Sequence, residues 1–315
     1  MIVSNLQARK SRRRSRTTGP PDSQTGGRAT SLDLIKTLYA QAPHAILHAP
    51  YCTLEHVLEG CQYLASTDGE RLSAAVAYTS DSIEFTWSLA GRAETLRNLI
   101  AQVQHRLKSV SFVPVMETGR KSWSEMLGVP VLGRLFRAYL PEAKAPAGEL
   151  RAGFEIQPLD PQTDAEAASC LMNAAYPSLP KLTTPENIQQ ISQTHYFFPD
   201  GCFFLVQQGT GQRVGLAISA LCEEMQEGFV DWVQVAPRFR HHGLGSVLLR
   251  ESIRRLCDKA NFITASGSLD APFASGELYR ECGFEHSRQW TVLGQGSDAP
   301  DRHLPFVSRI RTQLP

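Results

Sequence analysis

The stretch from Gly228 to Lys259 constrains this chain more than any other. Gly228 to Val235 is rich in aromatic and β-branched residues, the composition of a strand, and Ala236-Pro237 closes it. After Gly245, apolar residues Leu249, Ile253, Leu256 and Ala260 recur at steps of four, three and four. That spacing is one face of an amphipathic helix expected to end near Lys259, with Arg250, Arg254 and Arg255 on the other face. Between strand and helix lies Arg240-His241-His242-Gly243-Leu244-Gly245-Ser246. If Arg240 to Gly245 form the first helical turn, their unpaired N–H groups and the helix dipole make a site for phosphate oxygens. Gly243 and Gly245 remove the side chains that would hold a pyrophosphate away from those amides. The pattern is neither a dinucleotide-binding Gly-x-Gly-x-x-Gly nor a P-loop, since no Gly-Lys-Ser/Thr follows.

The flanking segments supply an α/β order of the α+β type. Phe154 to Leu159 alternates as a strand, and Asp164 to Ala175 carries a helical pattern. Cys202 to Val206 and Val214 to Leu221, separated by Gly209-Thr210-Gly211-Gln212, read as a hairpin. Phe262 to Ala265 is a strand, Gly276 to Glu281 a short helix stopped by Gly283, and Trp290 to Leu293 a last strand. Upstream, Pro141 to Gly148 has the prolines and small residues of an extended linker. The expected division is therefore a domain at 31–140, a linker at 141–152 and a second domain at 153–310.

Two motifs in the second domain resemble one family. Val235-x-Pro237 followed by Arg240-x-x-Gly243-x-Gly245 is similar to the acetyl-CoA signature of the GNAT superfamily of N-acetyltransferases. Leu278-Tyr279-Arg280-Glu281-Cys282-Gly283-Phe284, which begins 33 positions after Gly245, is similar to the family's Leu-Tyr-x-x-x-Gly-Phe segment. The departure is Ala271-Pro272-Phe273-Ala274, where the family commonly carries an Asn that contacts the CoA arm.

The resemblance implies a mixed, mostly antiparallel central sheet flanked by helices, with acetyl-CoA as cosubstrate and an amine as acceptor. It implies CoA contacts at Val233, Gln234, Val235, Arg240, His241, His242, Gly243, Leu244, Gly245 and Ser246. Val233 to Val235 would offer backbone groups to the pantetheine and the thioester oxygen. Direct attack of the amine on the thioester needs two oriented substrates, a proton acceptor and a proton donor. Tyr279 is the implied acid for the leaving thiolate; the alternative is an aromatic ring packed against the helix. Asp231 shares strand alternation with Val233 and Val235, which would turn its carboxylate to the same face. It is either the base, a substrate-ammonium anchor or a fixed structural acid. Glu223, Glu224 and Glu227 fall in a hairpin turn where solvated acids are the rule.

Residues 83–140 repeat this order without its chemistry. Glu84-Phe85-Thr86-Trp87, Ala93 to Leu107, Val110 to Val115 and Ser122 to Val129 parallel the strand, helix, strand and short helix downstream, with Ser124 where Tyr279 would stand. The expectation is a second, degenerate GNAT-like domain that has lost CoA binding.

Charge and composition restrict the remaining readings. Lys and Arg number 32 against 31 Asp and Glu, a balance that offers nucleic acid no general field. The exception is residues 9–16, with six cations in a setting too polar to bury a core, so 1–30 is expected to be a disordered basic tail. No run of about 18 apolar residues is available to cross a membrane, and the basic start lacks the apolar region of a secretory signal. The seven cysteines are scattered without metal-ligand spacing, so neither disulfide framework nor metal is expected, and the setting is cytoplasmic. The function expected is an N-acyltransferase, monomeric or homodimeric, using acetyl-CoA and a primary amine. The alternative is a non-catalytic acyl-CoA sensor or scaffold.

Overall fold

A computed structural model describes residues 30–41, 47, 49–104, 113–116, 122–142, 150–174, 183–269 and 276–294. Residues 1–29 of the expected 1–30 basic tail, residues 143–149 of the expected linker, Ala271 to Ala274 and the stretch after 294 lie outside them. In chain order the elements are α1 (Ser31–Gln41), α2 (Tyr51–Leu58), β1 (Gln62–Asp68), β2 (Arg71–Tyr78), β3 (Ile83–Ser88), α3 (Ala93–Gln104), β4 (Val113–Met116), α4 (Trp123–Leu127) and β5 (Val131–Leu140). Next come β6 (Phe154–Pro158), α5 (Ala165–Asn173), α6 (Pro185–Ile191), β7 (Phe197–Gln207), β8 (Gln212–Cys222), β9 (Glu227–Val235), α7 (Leu244–Leu256), β10 (Phe262–Ser268), α8 (Gly276–Glu281) and β11 (Glu285–Leu293). The chain is a mixed α/β fold.

Two compact units divide these elements. Among the described residues, the first contains those within 30–45, 55–132 and 291–294. Its strands β1, β2 and β3 form an antiparallel sheet in that order, turned between β1 and β2 at Gly69 with φ 65°. One face of that sheet, with Leu64, Ala74, Val76 and Ile83, buries Leu96, Leu99, Ile100 and Val103 of α3. Trp123 and Leu293 complete this core. The short helix α4 is bounded chemically at both ends. The Ser122 side chain accepts the Glu125 N–H at 3.2 Å, and Gly128 leaves the helix at φ 65°, a conformation glycine adopts without steric cost.

Among the described residues, the second unit contains those within 46–54 and 133–290. Its strands run in the order β11-β5-β10-β9-β8-β7-β6. Pairing is antiparallel from β6 through β9 and between β10 and β5, and parallel between β9 and β10. The sheet is therefore mixed and mostly antiparallel. One face is covered by α7. Leu244 and Leu248 meet Phe203, Leu205, Val214, Ala217 and Val235, while Leu249, Ile253 and Leu256 meet Phe136, Ala138, Val230, Ile263 and Ala265. The opposite face is covered by α5 and α6, whose Ala168, Met172, Ile188 and Ile191 pack on Phe204, Val206, Leu216, Ile218 and Trp232.

The units part at 132/133, ahead of the Pro141 to Gly148 segment expected as the boundary. The reason is the ladder of β5. It pairs with β10 from Leu140↔Ile263 to Leu135↔Ser268, so residues 133–140 are a strand of the second unit's sheet. In return Thr291 to Leu293, the end of β11, belongs to the first unit.

Candidate functional site

The site begins where a ladder stops. Strands β9 and β10 pair in parallel from Glu227↔Phe262 to Val230↔Ala265. Beyond that point β10 continues against β5 through Ser266, Gly267 and Ser268, while β9 continues against β8 through Trp232↔Ile218 to Val235↔Gly215. The two strands thus diverge after Ala265 and Val230, where their parallel ladder ends. Backbone N–H and C=O groups beside such a fork can bond an extended amide chain that enters it.

The fork opens toward the loop that ends at α7. Pro237 to Phe239 form one 3₁₀ turn, Arg240 is extended, His241 has φ 61°, and Gly243 has φ 76° as the N-cap of α7. The helix starts at Leu244, so Arg240 to Gly243 precede the first turn instead of forming it. Two left-handed residues within three positions turn the chain too sharply for continuous helix. The first capping bond is Val247 N–H to Gly243 O at 3.3 Å, which leaves the amides of the first turn without acceptors further back in the helix. A methyl group built on Gly243 meets nothing within 4 Å, and one on Gly245 meets only Leu278 methyls at 3.4 and 3.8 Å. Over these two residues the backbone is accessible to a bulky anion.

The loop's side chains hold its shape. Arg240 Nε donates to Val235 O at 3.3 Å, and the buried Gln234 amide donates to the same oxygen at 2.8 Å. Val235's carbonyl is therefore already engaged, and the expected backbone contacts to a ligand narrow to its neighbours. His242 Nδ1 lies 2.6 Å from Arg240 O, and Arg151 donates to His242 O. Sequence reasoning missed Arg151, whose position before β6 carries no local signal. Arg151 and Arg238 are exposed and set two positive charges beside the loop, where His241 and His242 are exposed as well.

Asp231 lies at an irregularity that alternation could not show. Ile218 pairs with Trp232 and Ser219 with Val230, so Asp231 is the extra residue of a β-bulge. The bulge switches the alternation. Val230 and Val233 both pack toward α7, whereas Trp232 packs toward α5 and α6. The inference that Asp231 shares a face with Val233 and Val235 therefore fails. Its charge instead acts on Tyr196 and on Cys202, the latter in the core beneath α5 and α6. The Tyr196 phenol is pushed far above its ordinary range, first by burial and further by Cys52 and Asp231. Burial, with a smaller contribution from Asp231, pushes the Cys202 thiol up to about 12. Asp231 itself is half-buried at the base of the fork.

Tyr279 is 7% exposed and stands edge-on to Phe136 at 5.7 Å and to Phe284 at 5.4 Å. Phe136 also fills the space that a side chain at Gly267 would need, with ring atoms 2.5 and 2.7 Å from the Cβ position. Tyr279 is thus seated beside the β10 arm of the fork through Phe136. Its ring makes the packing contacts of the alternative reading, and the same contacts fix where its hydroxyl is held.

Glu227 departs most from expectation. Expected in a solvated turn, it is the first residue of β9 and 1% exposed. Its Oε1 accepts from Arg137 Nη2 and from Thr264 Oγ1, each at 2.7 Å, and its Oε2 accepts the Tyr51 N–H at 3.3 Å. Arg137, also 1% exposed, donates further to Thr264 Oγ1 at 2.5 Å and Ser266 Oγ at 3.1 Å. One buried ion pair thus joins β5, β9 and β10 just below the fork.

Residues 199–286 match the family model described as an acetyltransferase (GNAT) domain. No curated protein matches the chain in sequence. Among solved structures, the chain is similar to a GCN5-related N-acetyltransferase from Sphaerobacter thermophilus, at 15% identity and TM-score 0.57 over 83% of this chain and 91% of that one. It is also similar to a GNAT-family acetyltransferase from Colwellia psychrerythraea, at 13% identity and TM-score 0.53 over 87% and 100%. A third is a tandem GNAT protein from the clavulanic acid biosynthesis pathway, at 15% identity and TM-score 0.52 over 85% and 94%. At these identities the likeness is one of fold. Among the described residues no helix is long and apolar enough to cross a membrane, and no group of His, Cys, Asp and Glu is placed to hold a metal.

Proposed function

With an acetyltransferase domain matched at 199–286, we propose that the chain moves an acetyl group from acetyl-CoA to a primary amine by direct attack. The divergence of β9 from β10 after Val230 and Ala265 carries this reading. In this reading the fork is a slot beside residues 231–234 whose mouth is the Gly243–Ser246 backbone. The amides of Gly243 to Ser246, reinforced by the exposed Arg151 and Arg238, take the pyrophosphate. The Asp231 to Gln234 backbone takes the pantetheine amides as an added strand does. A backbone N–H there, aimed at the thioester oxygen, would bear the charge that develops during attack.

The amine arrives on the face of the sheet where Asp231 acts on Tyr196. There Asp231 holds the ammonium or removes its proton, and burial around it weakens screening of either interaction. Tyr279 sits beyond Phe136 on the other side of the fork and gives its phenolic proton to the departing thiolate. We read the first unit as a GNAT-like domain without a phosphate loop, since Ser124 stands at the Tyr279 position and bonds Val129 O at 2.7 Å instead. This reading places the protein in the cytoplasm and leaves the acceptor's identity to experiment. A panel of primary amines with acetyl-CoA, followed by free-thiol release, tests it: at least one amine accelerates release. Tight CoA binding with no turnover on any amine would favour an acyl-CoA sensor.

A further inference from the structure

Two cysteines outside the fork meet at the far end of β9. Tyr51, the first residue of α2, donates its N–H to Glu227 Oε2 at 3.3 Å. Cys222, the last residue of β8, stands directly across the ladder from Glu227. Cys52 comes right after Tyr51, so the contacts of one glutamate bring both cysteines to the same place, and each thiol lies close enough to influence the titration of the other. Cys52 is fully buried and Cys222 is 3% exposed.

We propose that Cys52 and Cys222 are a redox-active dithiol, a modification site that closes to a disulfide by exchange with a small-molecule disulfide such as oxidised glutathione. The Cys222 thiolate attacks one sulfur of the oxidant, expelling one thiolate and leaving a mixed disulfide on Cys222. Cys52 then loses its proton and attacks the Cys222 sulfur, expelling the second thiolate. Two protein thiols lose two electrons and two protons, and one small disulfide becomes two thiols.

The assignment of attacker and resolver rests on their surroundings. The Cys222 thiol is held below its ordinary range, first by the neighbouring Cys52 thiol and also by the Met225 backbone, against opposing burial and the charges of Glu227 and Glu224. Burial holds Cys52 well above its range, with further contributions from Cys222 and Glu227. A lowered thiol is the better source of thiolate at neutral pH. Access also favours Cys222, because the turn after it exposes Glu223, Glu224 and Gln226. Closure brings the two sulfurs to about 2.05 Å and staples the first turn of α2 to the β8 end.

The test is independent of acyl transfer. The full chain is incubated with oxidised glutathione under native conditions, quenched with an alkylating agent and digested without reduction. The expected product is a Cys52–Cys222 cross-linked peptide, an intact mass lower by two hydrogen atoms, and a raised thermal midpoint that returns to its starting value with dithiothreitol. In Cys52→Ser the reaction should stop with glutathione on Cys222, and in Cys222→Ser Cys52 should stay unmodified. Alkylation of both thiols after exposure to the oxidant, a persistent glutathione adduct on Cys222 in the unaltered protein, or a cross-link from either thiol to another cysteine would overturn the proposal. Peptide mapping of the unaltered protein decides the matter even if a serine variant does not fold.

Discussion

Replacing Arg137 with methionine removes the counter-charge of Glu227 and leaves most of the side-chain volume in place. The carboxylate keeps its bonds from Thr264 and from the Tyr51 N–H, and loses the guanidinium 2.7 Å away in a setting where both partners are 1% exposed. Breaking a buried pair on one side costs about 3 to 5 kcal/mol. The thermal midpoint should fall by roughly 6 to 20 °C, at about 2 to 4 °C per kcal/mol. Adding Glu227→Gln removes the orphaned charge and should recover most of the loss. Urea unfolding followed by circular dichroism at pH 7 reads all three proteins. A single variant that loses less than about 1 kcal/mol, or a double variant no more stable than the single one, would refute the reasoning.

Tyr279→Phe keeps the ring between Phe136 and Phe284 and removes only the hydroxyl. With an active amine, kcat should fall toward the lower end of the ~100- to 10,000-fold range for general acids while the KM for acetyl-CoA holds, and an unchanged rate would make Tyr279 a packing residue. Asp231→Asn should raise the amine KM or lower kcat about 100-fold with CoA affinity unaltered; weakened CoA binding alone would place Asp231 on the cofactor side of the sheet. A fragment beginning at 141 lacks β5, the antiparallel neighbour of β10, and the cation that pairs with Glu227. It should be insoluble or show no cooperative melt, and a cooperative melt would show that β5 is dispensable.

Local patterns announced most of the second unit. The apolar spacing of α7, the Gly283 stop after α8 and the turn at Gly209 to Gln212 depend on residues close in sequence, and each appears where the periodicity puts it. The loop shape was less legible, because φ 61° at His241 is imposed by the turn around it and is not written in the residue type. Alternation misplaced Asp231 because a β-bulge is a property of two strands, and only the Ser219↔Val230 and Ile218↔Trp232 register reveals it. Glu227 and Arg137 were invisible for a similar reason. They lie 90 residues apart, and neither looks unlike a surface charge until β5 is seated against β10. The boundary near Pro141 follows composition, whereas the two compact units part at 132/133, where β5 joins the ladder with β10.

The phosphate-loop assignment carries the account, and calorimetric titration of CoA tests it most directly. Gly245 is the better position to alter, because Gly243 at φ 76° would be strained by any side chain, whereas a side chain at Gly245 meets only Leu278 at 3.4 Å. Gly245→Glu sets a carboxylate against the pyrophosphate. Like charges 4 Å apart repel by about 1 kcal/mol in water and about 4 kcal/mol at an intermediate dielectric, which is a loss of affinity of roughly fivefold to a thousandfold. One CoA should bind per unaltered chain, and binding should weaken by at least about fivefold in the variant, with unchanged melting. Unaltered affinity in Gly245→Glu, or two CoA molecules per chain, would contradict the assignment.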